Sequence, residues 1–521
     1  MSERGHGLRP LAAGFVLYAS LAACVFAGLL LFYAFCYPLH HDLAGIALSG
    51  RLAVTLGDSF RDYSIYFPPA DRAWFSVASG VSDLTGLRLD LAVVVMTGAA
   101  ILFSGGLAYR IRRDTLGASP LFLLSSVALL VVLPILYKNI FGMREHLVVL
   151  GLWPYVVLRL SDPNGTRIGW RLRLVLGLWI GLTLLFKYLY CVVVLLVELT
   201  DVLVQRRPQL IFRLENIVSG AVVVLYLFCW LGLDPSQRVA IGIMFSGLDA
   251  ALIDPKVNRF QVASSLLPAI FFSLACLLFK SPRRVGALGL ALVVGAVIVA
   301  WAQERWYTHH LFAVTVAYLA WWWMSVRTFR WWATAAISFY FLITIGTAYL
   351  ETAPYREAVA ELDRAMANAG QSVAGKRVGV LTMHPSPYNQ YLASHGGLRW
   401  NTQVNNAYIG AELKSFDTKE HSGKLAPALM LADPGRKVLH DEMLRLWEDM
   451  PPDALILDHS SRFPLRYIDV EWTRVFSKDP RFNAFLKRYR PAFTYDGERI
   501  EFKYYVRVEQ GSHQEPKRDR K

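Results

Sequence analysis

The feature that most constrains this chain is a succession of long apolar runs separated by short polar segments. A bilayer core takes roughly 20 apolar residues per helix. Runs of about that length or somewhat shorter stand at 11–36, 91–108, 118–137, 147–159, 172–186, 189–204, 217–232, 262–279, 285–302, 311–325 and 331–350. Of 521 residues, 55% are hydrophobic and 18% charged, which is too apolar for one soluble core of this length. Lipid is therefore expected to be the main solvent, around an α-helical polytopic membrane protein of about eleven transmembrane helices.

The charges support the same reading. Arg4 and Arg9 precede the first run, and every second segment after it is basic: Arg110, Arg112 and Arg113; Arg167, Arg171 and Arg173; Arg206, Arg207 and Arg213; Lys280, Arg283 and Arg284; Arg327 and Arg330. Lys and Arg are retained on the cytoplasmic side, so this alternation predicts a cytoplasmic N-terminus. It places outside the first large loop, 37–90, the segments 138–146, 232–261 and 303–310, the short turn at Lys187, and everything after Glu351. The formal charge of +14 lies in short clusters with no continuous basic face, which argues for topology and against a nucleic-acid partner. Cys24, Cys191, Cys229 and Cys276 sit inside apolar runs and Cys36 ends one, so no disulfide framework is expected. The first run is longer than a signal-peptide core and is expected to stay as an anchor.

After residue 350 the composition becomes that of a soluble α/β domain, expected over 351–510 and followed by a disordered polar tail at 511–521. Within it, 355–369 reads as a helix and Arg377–Leu381, Ala454–Leu457 and Arg499–Val508 as strands.

Three clusters of chemically capable residues fall in segments expected outside. The first is His40-His41-Asp42 with Arg61-Asp62-Tyr63 and Pro68-Pro69; the second is Lys138 with Arg144-Glu145-His146; the third is Glu304-Arg305 with His309-His310. A carboxylate just beyond a helix end can act as a base toward a lipid-borne substrate, although an outer loop also carries solvated charges with no role. Charges against hydrocarbon are costly unless paired or lining a polar cavity. Snorkelling competes with that reading for Lys138, and a structural ion pair for Glu304 and Arg305. Lys187 lies in a turn too brief for a surface loop: it either faces a lipid phosphate or anchors the helix ends. Arg and Lys suit a phosphate or pyrophosphate. His-His-Asp has none of the spacing of a zinc motif, so no metal ligands are expected; no cofactor is expected either, with a divalent cation left open.

The order of these motifs carries a resemblance. His-Asp after the first run, Gly50-Arg51-Leu52, Phe60-Arg61-Asp62, Pro68-Pro69, Gly142-Met143-Arg144-Glu145-His146, Pro154-Tyr155 and Gln303 to His310 together resemble bacterial members of the GT-C superfamily. These are multi-spanning glycosyltransferases that use polyprenyl-phosphate sugars, related to protein O-mannosyltransferases and lipid A aminoarabinose transferases. The resemblance covers 11–350 and extends weakly to Asp479-Pro480-Arg481-Phe482, Tyr489 and Tyr504-Tyr505-Val506-Arg507. It implies a GT-C-like transmembrane domain over 1–350 in a bacterial inner membrane, a periplasmic C-terminal domain, a polyprenyl-phosphate-linked sugar donor and a glycan, lipid or protein acceptor.

By the resemblance, Asp42 is the catalytic carboxylate. Leu43 stands where a second acidic residue is common, which keeps Asp62 as its rival. Arg144, Lys187, Arg305 and protonated His309 or His310 would stabilise the leaving phosphate, with His41, Arg61, Lys138, Glu145, His146 and Glu304 as further substrate-binding candidates. A transporter or flippase, or a ligase or polymerase of polyprenyl-linked glycans, is the alternative. Transporters commonly carry mid-bilayer ionisable groups and inverted repeats, and neither is evident in the sequence.

Overall fold

The computed structural model describes residues 8–36, 38–56, 69–136, 140–232, 283–302, 312–313, 316–317, 356–382, 385–400, 441, 444–445, 447–459 and 479–508. The chain divides into two compact units, Met1–Arg356 and Glu357–Lys521.

All secondary structure among the described residues of the first unit is helical. Its helices are α1 (Leu8–Leu31), α2 (His41–Leu56), α3 (Pro69–Thr85), α4 (Leu89–Leu116), α5 (Pro120–Leu136), α6 (Arg144–Ser161), α7 (Trp170–Leu184), α8 (Cys191–Gln205), α9 (Leu214–Leu227) and α10 (Arg283–Ala302). Among the described residues, four helical stretches are long and apolar enough to cross a membrane: Tyr18–Phe35, Leu89–Leu116, Tyr188–Gln205 and Arg284–Ala302. Pro120–Ile135 and Leu214–Trp230 are shorter apolar helices. The expected run at 262–279, most of 311–325 and all of 331–350 lie outside the described residues.

Among its described residues the first large loop carries two helices. α2 and α3 pack on each other where Gly50 meets Phe75: a Cβ on Gly50 would lie 2.5 Å from the Phe75 carbonyl carbon, and Ser76 Oγ donates to Gly50 O at 3.1 Å. Only a residue without a side chain permits that approach.

α6 is buried on nearly every side, packed against α4 and α7, while α7 packs on α9 and α8 on α10. Gly177 and Gly181 let α7 approach α9 closely, since a Cβ on either would fall 2.8 Å from atoms of Glu215, Val218 or Val222. Where α6 ends, a buried ionic network ties five helices together. Arg159 pairs with Glu198 and, at 2.7 Å, with Glu215. Arg173 reaches Glu215 at 3.3 Å and Asp162 at 3.7 Å. Arg213 and Arg284 hold the two oxygens of Asp201 at 2.9 and 2.7 Å. Four guanidiniums face four carboxylates, so the network is neutral and its desolvation is offset by mutual attraction. Arg173, Arg213 and Arg284, which the sequence presents as markers of sidedness, are thus also interior ion-pair partners.

Among its described residues the second unit holds a five-stranded mixed sheet in the order β2-β1-β3-β5-β4, with β1 (Arg377–Leu381), β2 (Leu398–Arg399), β3 (Ala454–Asp458), β4 (Tyr489–Asp496) and β5 (Glu501–Arg507). β2, β1 and β3 are parallel, and β5 runs antiparallel to β3 and to β4. A helix over 356–368 precedes β1, α12 (Pro385–Ser394) joins β1 to β2, and α13 (Pro480–Leu486) precedes β4; the 356–368 helix is α11. β3 is buried along its whole length, as its uninterrupted apolar run requires. The Asp479-Pro480-Arg481-Phe482 motif is a helix start: the Asp479 carboxylate accepts from the Arg481 amide at 2.8 Å, Pro480 takes the first helical position, and Phe482 is fully buried.

Candidate functional site

The site grows from the start of α6. Gly142 has φ +79°, a left-handed backbone that suits glycine. A Cβ there would also lie 3.0 Å from Leu43 Cδ2 and 3.1 Å from Thr97 Oγ1. His146 fixes this turn from within α6, its Nδ1 accepting from the Gly142 amide at 2.9 Å and its Nε2 donating to Leu130 O at 3.0 Å. Both ring nitrogens are engaged, so the imidazole is neutral and serves to hold the turn.

Arg144 and Glu145 meet residues from two other segments. Arg144 Nη1 lies 3.5 Å from Asp71 Oδ2 in the first turn of α3, and Glu145 Oε1 accepts from Lys187 Nζ in the turn between α7 and α8. Asp71 is fully buried, and Arg72 beside it is 2% exposed. α3 is held there by its Trp74 ring, which packs edge-on against Phe186 at 5.7 Å, and by the Ala70 amide, which donates to Tyr226 OH at 3.3 Å. The cluster therefore unites Asp71, Arg72, Arg144, Glu145 and Lys187, from three segments far apart in the chain.

Its electrostatics are strained. Neither carboxylate oxygen of Asp71 has a hydrogen-bond donor among the described residues. Burial raises the Asp71 carboxyl to about 7, against the opposing pull of Arg144 and with a further push from Glu145. Burial likewise lowers the Lys187 ammonium to about 8, with Glu145 acting to restore it. Groups displaced toward neutrality in this way are typical of functional sites.

Beneath the cluster the bundle is apolar. A small cavity between α6, α8 and α10 is lined by Val149, Trp153, Tyr190, Val193 and Ala296, among others. Val149 lies one helical turn, about 6 Å, from Glu145 along α6. Tyr190 ends the turn that Lys187 begins.

Of the residues singled out in the sequence, Arg144, Glu145 and Lys187 come together, whereas His146 points into the bundle. Asp42 lies in the first turn of α2, which His41 opens, with its side chain 48% exposed and its Oδ2 3.8 Å from His40 Nδ1. Its neighbour Leu43 is fully buried and forms the contact with Gly142, which brings the start of α2 beside the turn that carries Arg144. An acidic residue in place of Leu43 would bury an extra charge in that packing. Arg61, Asp62, Lys138, Glu304, Arg305, His309 and His310 lie outside the described residues.

Asp71 and Arg72 escaped the sequence reading. The available signal was Pro68-Pro69 followed by an acidic residue, a common way for a helix to start. Among the described residues, no group of three or more His, Cys, Asp or Glu side chains is arranged to hold a metal ion.

No protein-family model matches this chain, and no curated protein matches it in sequence. Among solved structures, the chain is similar to the oligosaccharyltransferase of Archaeoglobus fulgidus tethered to an acceptor peptide with an NVT sequon. The identity is 10% and the TM-score 0.40, over 94% of this chain and 74% of that one. It is also similar to the arabinofuranosyltransferase AftD from Mycobacteria, at 15% identity and TM-score 0.39, over 94% of this chain and 41% of that one. The chain thus spans about two fifths of the mycobacterial enzyme.

Proposed function

We propose that the chain is a membrane glycosyltransferase that moves a sugar from a polyprenyl-phosphate donor to a glycan, lipid or protein acceptor at the outer face of a bacterial inner membrane. The observation that carries this reading is the meeting of buried Asp71, Arg72 and Glu145 with partly exposed Arg144 and Lys187 in one cluster, with an apolar cavity starting a helical turn away. A phosphate on an isoprenoid chain has that same pairing of anion and hydrocarbon.

The charges fit the donor's chemistry. Among the described residues the cluster holds three cations and two carboxylates, one positive charge in excess when all are ionised. A sugar joined to a polyprenol through a single phosphodiester carries one negative charge. Arg144 offers a planar fork of donors and Lys187 a point charge, each already held by a carboxylate before the donor arrives. Such preorganised cations favour the transition state because the phosphate gains charge as it leaves.

In the reaction, the acceptor hydroxyl oxygen bonds to the anomeric carbon while the bond from that carbon to the phosphate oxygen breaks. The hydroxyl proton passes to a carboxylate, and the polyprenyl phosphate departs with both bonding electrons. Asp42 is proposed as that carboxylate, with Asp62 as its rival. Leu43 sets Asp42 beside the Arg144 turn, and its half-exposed side chain leaves it open to an acceptor.

Purified protein reconstituted with polyprenyl-phosphate sugars tests this. Transfer should fall sharply in Asp42→Asn or in Asp62→Asn. Full transfer by both variants would remove the catalytic assignment.

A further inference from the structure

The second unit buries a cation that no carboxylate neutralises among the described residues. Arg399 closes β2 and is 3% exposed. Its Nη1 donates to the neutral amide oxygen of Asn389 on α12, while Nε and Nη2 are buried without a hydrogen-bond partner. No ion pair involves it among the described residues. Burial alone lowers its guanidinium to about 10, so it remains charged at neutral pH.

Nε and Nη2 form one edge of the guanidinium, and this protein uses that edge elsewhere to grip an oxyanion with two hydrogen bonds. Arg377 reaches the two oxygens of Asp453 through Nε at 3.2 Å and Nη2 at 2.8 Å. Arg88 holds Asp90 in the same way at 3.1 and 2.8 Å. Arg377 and Arg399 lie on adjacent strands, yet only Arg377 has its carboxylate. A buried, unpaired charge destabilises a fold, and paired oxyanions are what guanidinium forks bind best.

We propose that Arg399, oriented by Asn389, is an anion-binding site of the second unit that takes a carboxylate or phosphate group of a ligand on its Nε–Nη2 edge. Among the described residues, local opening of β2 gives entry. β2 is two residues long and ends the order of described strands, held to β1 by Leu398 N to Lys376 O and Trp400 N to Val378 O, each at 2.9 Å. Elements this short open at low cost. The site is independent of the proposed transfer reaction.

Thermal unfolding of the full-length protein in detergent tests the proposal, with sodium glucuronate, sodium phosphate and sodium chloride compared at equal ionic strength. The wild-type midpoint should rise with glucuronate, with phosphate or with both, relative to chloride. A response to glucuronate alone assigns a carboxylate, and a response to phosphate alone assigns a phosphate group. Arg399→Met should lose the rise, and its ligand-free midpoint should equal or exceed the wild type's, because an unpaired charge has been removed. Should that variant not fold, Arg399→Lys carries the test: it keeps the charge without the fork and should need at least tenfold more anion for the same rise. A wild-type midpoint equal in all three salts, or a full rise in the Arg399 variant under study, would overturn the proposal.

Discussion

Asp71 shows what burial does to a single residue in this protein. Its carboxyl titrates near 7 because burial outweighs the attraction of Arg144, with Glu145 adding to the rise. Between about pH 4, where an ordinary carboxyl ionises, and pH 7, the folded protein keeps a proton that the unfolded chain has released. Folding is therefore favoured by this group at acid pH, and that contribution is lost as pH rises through the window. Asp71→Asn should flatten the decline, so its thermal midpoint should fall less between pH 5 and 7 than the wild type's. Parallel profiles would contradict the burial described for Asp71. At this scale the sequence was half legible. Arg144, Glu145 and Lys187 stood out because charges beside apolar runs demand an explanation. Asp71 and Arg72 did not, because an Asp-Arg pair after two prolines resembles any polar loop. His146 was legible as unusual, but its task of holding the Gly142 turn depends on the carbonyl of Leu130 in another helix.

Elements were legible in proportion to their burial. β1 and β3 stood out as apolar runs, and β1 lies where it was expected, at Arg377–Leu381. β4 was missed because it contains Pro491 and faces solvent along most of its length, and β2 because two residues carry no pattern. α2 and α3 were read as loop because both fall short of a membrane run, α2 in length and α3 through its amphipathic pattern. The basic segments were read for sidedness, but Arg173, Arg213 and Arg284 find carboxylate partners on other helices, so that pairing was invisible. That pairing yields a prediction for the α6–α7–α9 junction. Glu215 accepts from both Arg159 and Arg173 in full burial, so Glu215→Gln leaves uncompensated charge and should cost about 3–5 kcal/mol. Chemical denaturation would measure it, and adding Arg173→Met should recover part of the loss. A Glu215→Gln variant as stable as the wild type would show that the network does not hold these helices.

For the whole molecule, the central claim concerns the two ends of α6. Arg159 at one end is locked in a neutral network, while Arg144, about 22 Å away along the axis, belongs to a cluster with one positive charge in excess among the described residues. The proposed function assigns stability to the first end and anion binding to the second. The succession of apolar runs made the membrane class legible, whereas the convergence of α3, α6 and the Lys187 turn is a tertiary fact that no single segment contains. The most direct test is the rate of transfer from a polyprenyl-phosphate sugar in proteoliposomes, measured for Arg144→Met and Lys187→Met. Each should lower kcat/KM by about 100-fold or more while leaving the protein folded, as expected for losing a preorganised charge at a departing phosphate. Folded variants that transfer at the wild-type rate would contradict the account.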